Sequence, residues 1–294
     1  MSTKSTKKCI PILGIYEKAL PIDLSWQQRF AAARSLGFDY LEISIDETLE
    51  RQQRLQWNMK QKMEFIQAKL EYGIDVPSMC LSVHRAYPFG SKDSKIREKA
   101  RTFMLDALRF AQDVGIRNIQ LAGYDVYYEP ADASTKAFFL EGISWAIEQA
   151  ARNQIMLSVE IMDTAFMSSI SRWLDLEQST IASPWFSVYP DVGNLSAWEN
   201  NVATELQKGI HKIAAIHLKD TLAITPNSLG KFRDIPFGEG CVDFSFVFNT
   251  LSDLNYQGAF LIEMWAKNDG HDLSRITQSK NWLISQMKGT RYAN

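Results

Sequence analysis

The feature that most constrains this chain is the end-to-end alternation of short, β-rich apolar runs with longer stretches of helical periodicity. The runs fall at 10–16, 40–44, 76–82, 118–122, 155–161, 185–189, 213–218 and 259–265. Between them, segments such as 24–36, 59–72, 96–114, 135–152 and 244–254 show helical periodicity and end near Gly, Asn or Pro. Three junctions echo one another: Leu36-Gly37-Phe38-Asp39, Tyr72-Gly73-Ile74-Asp75 and Val114-Gly115-Ile116-Arg117. Each places a glycine at a helix C-terminus just ahead of the next strand. Eight βα units without a linker or low-complexity stretch predict an α/β fold, a closed (β/α)8 TIM barrel. An open doubly wound sheet would want a Gly-rich phosphate loop, and the sequence has none. Such barrels run to about 250 residues as one domain. The chain is therefore read as a single barrel domain over 1–294, with 1–9 as a flexible N-terminus.

Composition narrows the partners. With 46% hydrophobic and 22% charged residues, the chain is that of an ordinary globular protein. A net charge of −2 gives no electrostatic footprint for a phosphate backbone, so nucleic acid is set aside. No run approaches the ~18 apolar residues of a membrane span, and the start does not read as a signal peptide. The three cysteines, Cys9, Cys80 and Cys241, are far apart and odd in number, which predicts free thiols and a cytoplasmic setting. Base rates for soluble oligomers make a homodimer the expected assembly.

In a (β/α)8 barrel the active site lies at the C-terminal ends of the strands. Strand five ends Ser158-Val159-Glu160-Ile161-Met162-Asp163, and strand six runs into Tyr189-Pro190-Asp191. Strand seven ends Ile216-His217-Leu218-Lys219-Asp220, and strand eight ends Leu261-Ile262-Glu263-Met264-Trp265. Glu160, Asp191, His217 and Glu263 thus stand at equivalent heights on four successive strands. Three carboxylates that close repel one another unless a divalent cation neutralises them. An oxygen-rich set with one imidazole suits Mn, Mg, Co or Zn. Asp163 and Asp220 are the competing ligands. The longest non-periodic connection, 221–240, is expected to cover the site.

Further motifs carry a resemblance over nearly the whole chain, from about Ile12 to Trp282. They are Gly14-Ile15-Tyr16-Glu17-Lys18-Ala19-Leu20, Pro77-Ser78-Met79-Cys80-Leu81-Ser82 with His84-Arg85, and Gln120-Leu121-Ala122-Gly123-Tyr124-Asp125-Val126-Tyr127-Tyr128. Tyr189-Pro190-Asp191, Asn194-Leu195-Ser196-Ala197-Trp198 and Pro236-Phe237-Gly238-Glu239-Gly240 complete the set. Together they resemble the bacterial L-ribulose-5-phosphate 3-epimerases, also called L-xylulose-5-phosphate 3-epimerases and formerly hexulose-6-phosphate isomerases, within the xylose isomerase-like TIM barrels. The stretch 221–232 looks longer than is usual there. The resemblance implies that Glu160, Asp191, His217 and Glu263 hold one divalent metal ion, Zn or Mn ahead of Mg or Co. It also implies that Glu160 and Glu263 are the catalytic base and acid on the two faces of a keto sugar phosphate, and a role in pentose or L-ascorbate catabolism.

For the rest of the substrate the expected contacts are Lys18, His84, Arg85, Tyr124 and Lys219, with Asn194 and Arg233 behind them. Arg85 offers a bidentate fork to a phosphate and Lys18 a point charge. Glu239 is a candidate for orienting His217, and Trp198 and Trp265 for lining the pocket mouth. Aldose–ketose isomerisation, as by a hexulose-6-phosphate isomerase, uses the same groups and is the alternative chemistry. A three-metal DNA-repair site rich in histidine is disfavoured, since the chain has four histidines in all. A sugar-sensing barrel would have no need of two carboxylates facing one ion.

Overall fold

The computed structural model describes residues 11–293, so the segment 1–9, expected as a flexible N-terminus, lies outside the described residues. Eight strands form the central sheet: β1 (Leu13–Tyr16), β2 (Tyr40–Ser44), β3 (Ser78–Cys80), β4 (Asn118–Ala122), β5 (Met156–Glu160), β6 (Phe186–Tyr189), β7 (Ala215–Leu218) and β8 (Ala259–Ile262). Their pairings are all parallel and run in the order β6-β5-β4-β3-β2-β1-β8-β7. The seam between β6 and β7 is closed by the isolated parallel bridges Val188 to Ile213 and Asp191 to His217. The barrel expected from the eight apolar runs is therefore present, with strands trimmed at their ends.

Helices surround it: α1 (Trp26–Ser35), α2 (Leu49–Gln52), α3 (Met59–Tyr72), α4 (Ser94–Val114), α5 (Ala133–Arg152), α6 (Ile170–Gln178), α7 (Val192–Ala197), α8 (Val202–Gly209), α9 (Phe244–Asp253) and α10 (Asp272–Gln286). Local sequence sets their limits. Ser25 and Asn58 close capping boxes with Gln28 and Gln61 at the starts of α1 and α3. Gly73 and Gly115 end α3 and α4 in the left-handed conformation, as the recurrent junctions predict. On α4, Ala100, Met104, Ala107, Ala111 and Val114 recur at three- and four-residue steps and bury one face.

The strands divide their side chains by alternation. Leu41 and Ile43 of β2, Ile119 and Leu121 of β4, and Leu157 and Val159 of β5 join the helices in one large apolar core outside the barrel. The alternate residues on the same strands, Tyr40, Glu42 and Ser44, Gln120, and Ser158 and Glu160, are also buried but polar or aromatic. Tyr16, Tyr40, Cys80 and Leu261 form a separate small cluster inside. No helix among the described residues is long and apolar enough to cross a membrane.

Gly14 shows how tightly the interior is filled. A Cβ there would lie 2.2 Å from the Tyr40 ring, which crosses β1 so that its hydroxyl donates to the Phe260 carbonyl of β8 at 3.0 Å. Gly14→Ala is expected to destabilise the protein by about 1–3 kcal/mol, in the range of overpacking substitutions. Urea unfolding measures this directly; a loss below roughly 0.5 kcal/mol, within the scatter of ordinary surface changes, would show that Tyr40 is free to move aside.

Candidate active site

Four elements bring the four candidate ligands together. Glu160 is the last residue of β5, and His217 lies in β7. Asp191 follows β6 as the N-cap of α7, where the Asn194 backbone N–H donates to its Oδ1 at 2.9 Å and fixes its rotamer. Glu263 follows β8, its backbone N–H donating to the Leu218 carbonyl at 3.0 Å. All four are buried, and one ligand atom from each can be chosen so that these atoms lie within 4.8 Å of one another. His217 Nδ1 stands 2.9 Å from Glu160 Oε1 and 3.8 Å from Glu263 Oε2. Lys219 Nζ reaches Asp191 Oδ2 at 2.8 Å and Glu263 Oε2 at 3.2 Å.

Crowded, buried charge perturbs every member. Burial raises the Glu160 carboxyl, with His217 pulling the other way. Burial also pushes Asp191 up to about 7, against the attraction of Lys219. Glu263 feels the same burial, but the Lys219 ammonium and His217 outweigh it and hold the carboxyl down at about 2. His217 is disfavoured as a cation by burial, yet the carboxylates of Glu160 and Glu42 hold it well above its ordinary value. The donor set fits a divalent cation on chemical grounds, being three carboxylates and one imidazole converging in a buried pocket. Two of its oxygens, Asp191 Oδ2 and Glu263 Oε2, have no hydrogen-bond partner, Asp191 Oδ2 meeting Lys219 and Glu263 Oε2 meeting Lys219 and, at 3.8 Å, His217.

The expected substrate contacts sort into those the fold brings to this cluster and those it does not. Lys18, Arg85, Tyr124, Asn194, Lys219 and Arg233 line the hollow above it. Lys18 pairs with Asp46 at 2.5 Å. Arg85 has a long 3.7 Å approach to Glu47 and lies over the Tyr127 and Tyr124 rings at 4.9 and 5.7 Å, and its Nε has no hydrogen-bond partner. Tyr124 donates its hydroxyl to Asp163, which takes that aspartate out of the ligand set. Asn194 lines the wall while its Nδ2 donates to the Ile161 carbonyl at 2.8 Å, which ties α7 to β5.

His84 does not reach the hollow. Residues 82–85 wind into a 3₁₀ turn, so neighbouring side chains point about a third of a turn apart. Arg85 faces the hollow, whereas the buried His84 donates from Nε2 to the Ala100 carbonyl at 3.0 Å and packs on Phe89. Burial lowers its pKa to about 4. Glu239 is exposed and does not orient His217. That position belongs to Glu42 on β2, whose Oε1 lies 3.2 Å from His217 Nε2. Trp265 lines the hollow as expected, but Trp198 borders a separate one with Ile224 and Pro226.

Asp220 is structural: its carboxylate accepts the backbone N–H groups of Thr221, Gly238, Gly240 and Val242 at 2.9, 2.9, 3.0 and 3.3 Å. It thereby pins both ends of the 221–240 connection, which contributes Phe232 and Arg233 to the lining of the hollow. Arg233 stacks on Trp265 at 5.1 Å. The covered hollow is about 40 Å³, and a neighbouring one of about 270 Å³ shares Lys219, Glu263 and Trp265 with it.

Comparison with known proteins adds a family context. The model of the xylose isomerase-like TIM barrel family matches residues 30–286. A putative L-ribulose-5-phosphate 3-epimerase, SgbU, of Escherichia coli (strain K12) is 57% identical over 276 residues, covering 94% of this chain and 96% of that protein. The L-ribulose-5-phosphate 3-epimerase UlaE of Escherichia coli O157:H7 (strain EC4115 / EHEC) is 48% identical over 280 residues, covering 95% and 96%. Among solved structures, D-psicose 3-epimerase with D-tagatose from Clostridium cellulolyticum H10 superposes with a TM-score of 0.76, covering 96% of this chain and 99% of that one. At 16% identity that likeness is one of fold.

Lys219 is the counter-charge that the geometry singles out for test. Lys219→Met leaves Asp191 and Glu263 buried beside each other without it, and is expected to cost chelator-treated protein about 3–5 kcal/mol, as breaking a buried pair does. Urea unfolding of the two chelated proteins decides; a loss under about 1 kcal/mol, the scale of an exposed ion pair, would mean that the ammonium is incidental.

Proposed function

Because the chain belongs to the xylose isomerase-like TIM barrel family and, within it, to the L-ribulose-5-phosphate 3-epimerases, we propose that it interconverts L-xylulose 5-phosphate and L-ribulose 5-phosphate by moving the proton on C3. The observation that carries this reading is the placement of Glu160 and Glu263, which flank His217 Nδ1 at 2.9 and 3.8 Å at the floor of one hollow. Inversion at a carbon beside a ketone needs a base on one face and an acid on the other. Two buried carboxylates on β5 and just beyond β8 supply that pair.

Glu160, Asp191, His217 and Glu263 would hold one divalent cation, Zn or Mn ahead of Mg or Co, whose contribution when bound is Lewis acidity toward the sugar's keto and hydroxyl oxygens. The chain's own groups do the rest. One glutamate takes the C3 proton, and the electron pair of the broken C–H bond passes into an enediolate. The other glutamate, protonated, returns a proton to the opposite face of C3, and the reverse reaction exchanges the two roles. Lys219, 3.2 Å from Glu263, is placed to donate to the negative oxygen that develops. Arg85, with an unpartnered Nε, and Lys18 are the candidates for the phosphate. Tyr124 and Asn194 shape the wall between them. Cover from Phe232 and Arg233 keeps water from the enediolate.

The free thiols Cys80 and Cys241 support a cytoplasmic setting. A homodimer and a place in pentose or L-ascorbate catabolism complete the proposal.

Proton NMR of L-xylulose 5-phosphate with the enzyme in heavy water tests it. Deuterium is expected at C3 together with formation of L-ribulose 5-phosphate, and both are expected to stop on chelation and return with added Mn²⁺ or Zn²⁺. Exchange at C1 with an aldose product would replace the epimerase reading by an isomerase one. Glu160→Gln and Glu263→Gln should each lower turnover by about 10²–10⁴-fold, the usual contribution of a positioned acid or base; steady-state rates near those of the unaltered enzyme would remove that glutamate from the mechanism.

A further inference from the structure

We propose that Glu42 is the positioning residue of the cation site: from β2, three strands away around the barrel from β7, it fixes the ring of His217 so that Nδ1 faces Glu160, Asp191 and Glu263. This rests on the reading of those four residues as a cation site.

A histidine can present only one ring nitrogen to a cation, and the partner of the other nitrogen decides which. Here Nδ1 faces the cluster, 2.9 Å from Glu160 Oε1. Nε2 faces the barrel interior, where it donates to Glu42 Oε1 at 3.2 Å. Glu42 is fully buried and is itself held. Its Oε2 accepts the Ser78 hydroxyl at 2.5 Å and the Tyr189 hydroxyl at 3.3 Å. The Tyr189 ring also packs on the His217 ring, with centroids 4.5 Å apart. The imidazole is therefore fixed at its edge by a carboxylate and at its face by an aromatic ring. Ser78 and Tyr189 use their hydroxyl hydrogens on Glu42, so the carboxylate is the acceptor that sets the tautomer.

A buried side chain needed only for volume would serve as well uncharged. An anion behind Nε2–H does more, because it strengthens Nδ1 as a donor to a cation. Its position below the cluster keeps it out of contact with substrate, so its effect on the reaction passes through His217.

The test compares the full-length protein with Glu42→Gln, which keeps shape and an acceptor but removes the charge. Both are stripped with chelator, and Zn²⁺ affinity is read by competition with a chromophoric indicator. The variant is expected to bind Zn²⁺ about 10–100-fold more weakly while the chelated proteins melt alike. Binding within about twofold, a shift too small for such second-sphere losses, would overturn the assignment of Glu42 and leave the cation site standing. If the unaltered protein takes up no Zn²⁺, Mn²⁺ or Co²⁺, both readings fall. Should Glu42→Gln not fold, nitrogen-15 histidine spectra of the Zn²⁺-loaded unaltered protein decide. The ring that responds to the cation is expected to carry its proton on Nε2, and a proton on Nδ1 would overturn the proposal.

Discussion

The interaction on which the rest of this structure depends is repulsion among buried carboxylates. Inside the parallel barrel Glu42, Glu160 and Glu263 meet the His217 imidazole, and Asp191 and Glu263 meet the Lys219 ammonium. Like charges within 4.8 Å of one another repel by roughly 3 kcal/mol at an effective dielectric near 20. Such a cluster persists only where opposite charge is held close, and the local backbone is arranged to do so. The Asp191–His217 bridge that closes the barrel sets the two side by side. Lys219, two residues along from His217, then faces Asp191 and Glu263 together. The divergence within the glutamate pair follows from this asymmetry: Lys219 lies against Glu263, while Glu160 relies on His217.

That arrangement has a structural cost, and the outer layer supports it. The apolar residues that stabilise the fold lie mainly between strands and helices, where Ile43, Leu157, Val188, Ile216 and Phe260 pack against residues such as Phe30, Ala107, Ile143 and Phe248. Burial of that belt supplies the hydrophobic driving force and leaves the inside of the barrel free to be polar. Inside, order comes from hydrogen bonds and close fit: Ser78 and Tyr189 on Glu42, and Tyr40 over Gly14. Satisfaction is concentrated there: Glu42 is held by hydroxyls, whereas Asp191 Oδ2 and Glu263 Oε2 at the cluster and the Gln120 amide have no hydrogen-bond partner.

The alternation of runs made the barrel legible in sequence, because each βα unit repeats the same periodicity switch and the same turn chemistry. The convergence of four candidate ligands was legible for a related reason. Glu160, Asp191, His217 and Glu263 sit where four successive strands end, and strand ends of a barrel share one face. Glu42 went unread although Tyr40-Leu41-Glu42-Ile43-Ser44 alternates cleanly and puts a charged residue on the inward face. It lies within its strand, beneath the rim where functional residues are sought, and its partner is distant in sequence. His84 was misplaced for the opposite reason, since adjacency to Arg85 counts for little inside a 3₁₀ turn. Glu239 and Trp198 belong to segments whose direction depends on loop packing, which no periodicity encodes.

The 221–240 connection borders the site through Phe232 and Arg233. A hollow of about 40 Å³ is far below the ~300–1,000 Å³ of ordinary ligand pockets, and the adjoining one of about 270 Å³ shares Lys219, Glu263 and Trp265 with it. Asp220 fastens the connection that carries Phe232 and Arg233. Thr221, Gly238, Gly240 and Val242 are all tied to its one carboxylate, which brings the two ends of the connection together. At Gly240 a Cβ would stand 2.0 Å from that carboxylate, so the anchor itself requires glycine. The same β7 segment thus supplies a ligand candidate in His217, a counter-charge in Lys219 and a loop anchor in Asp220.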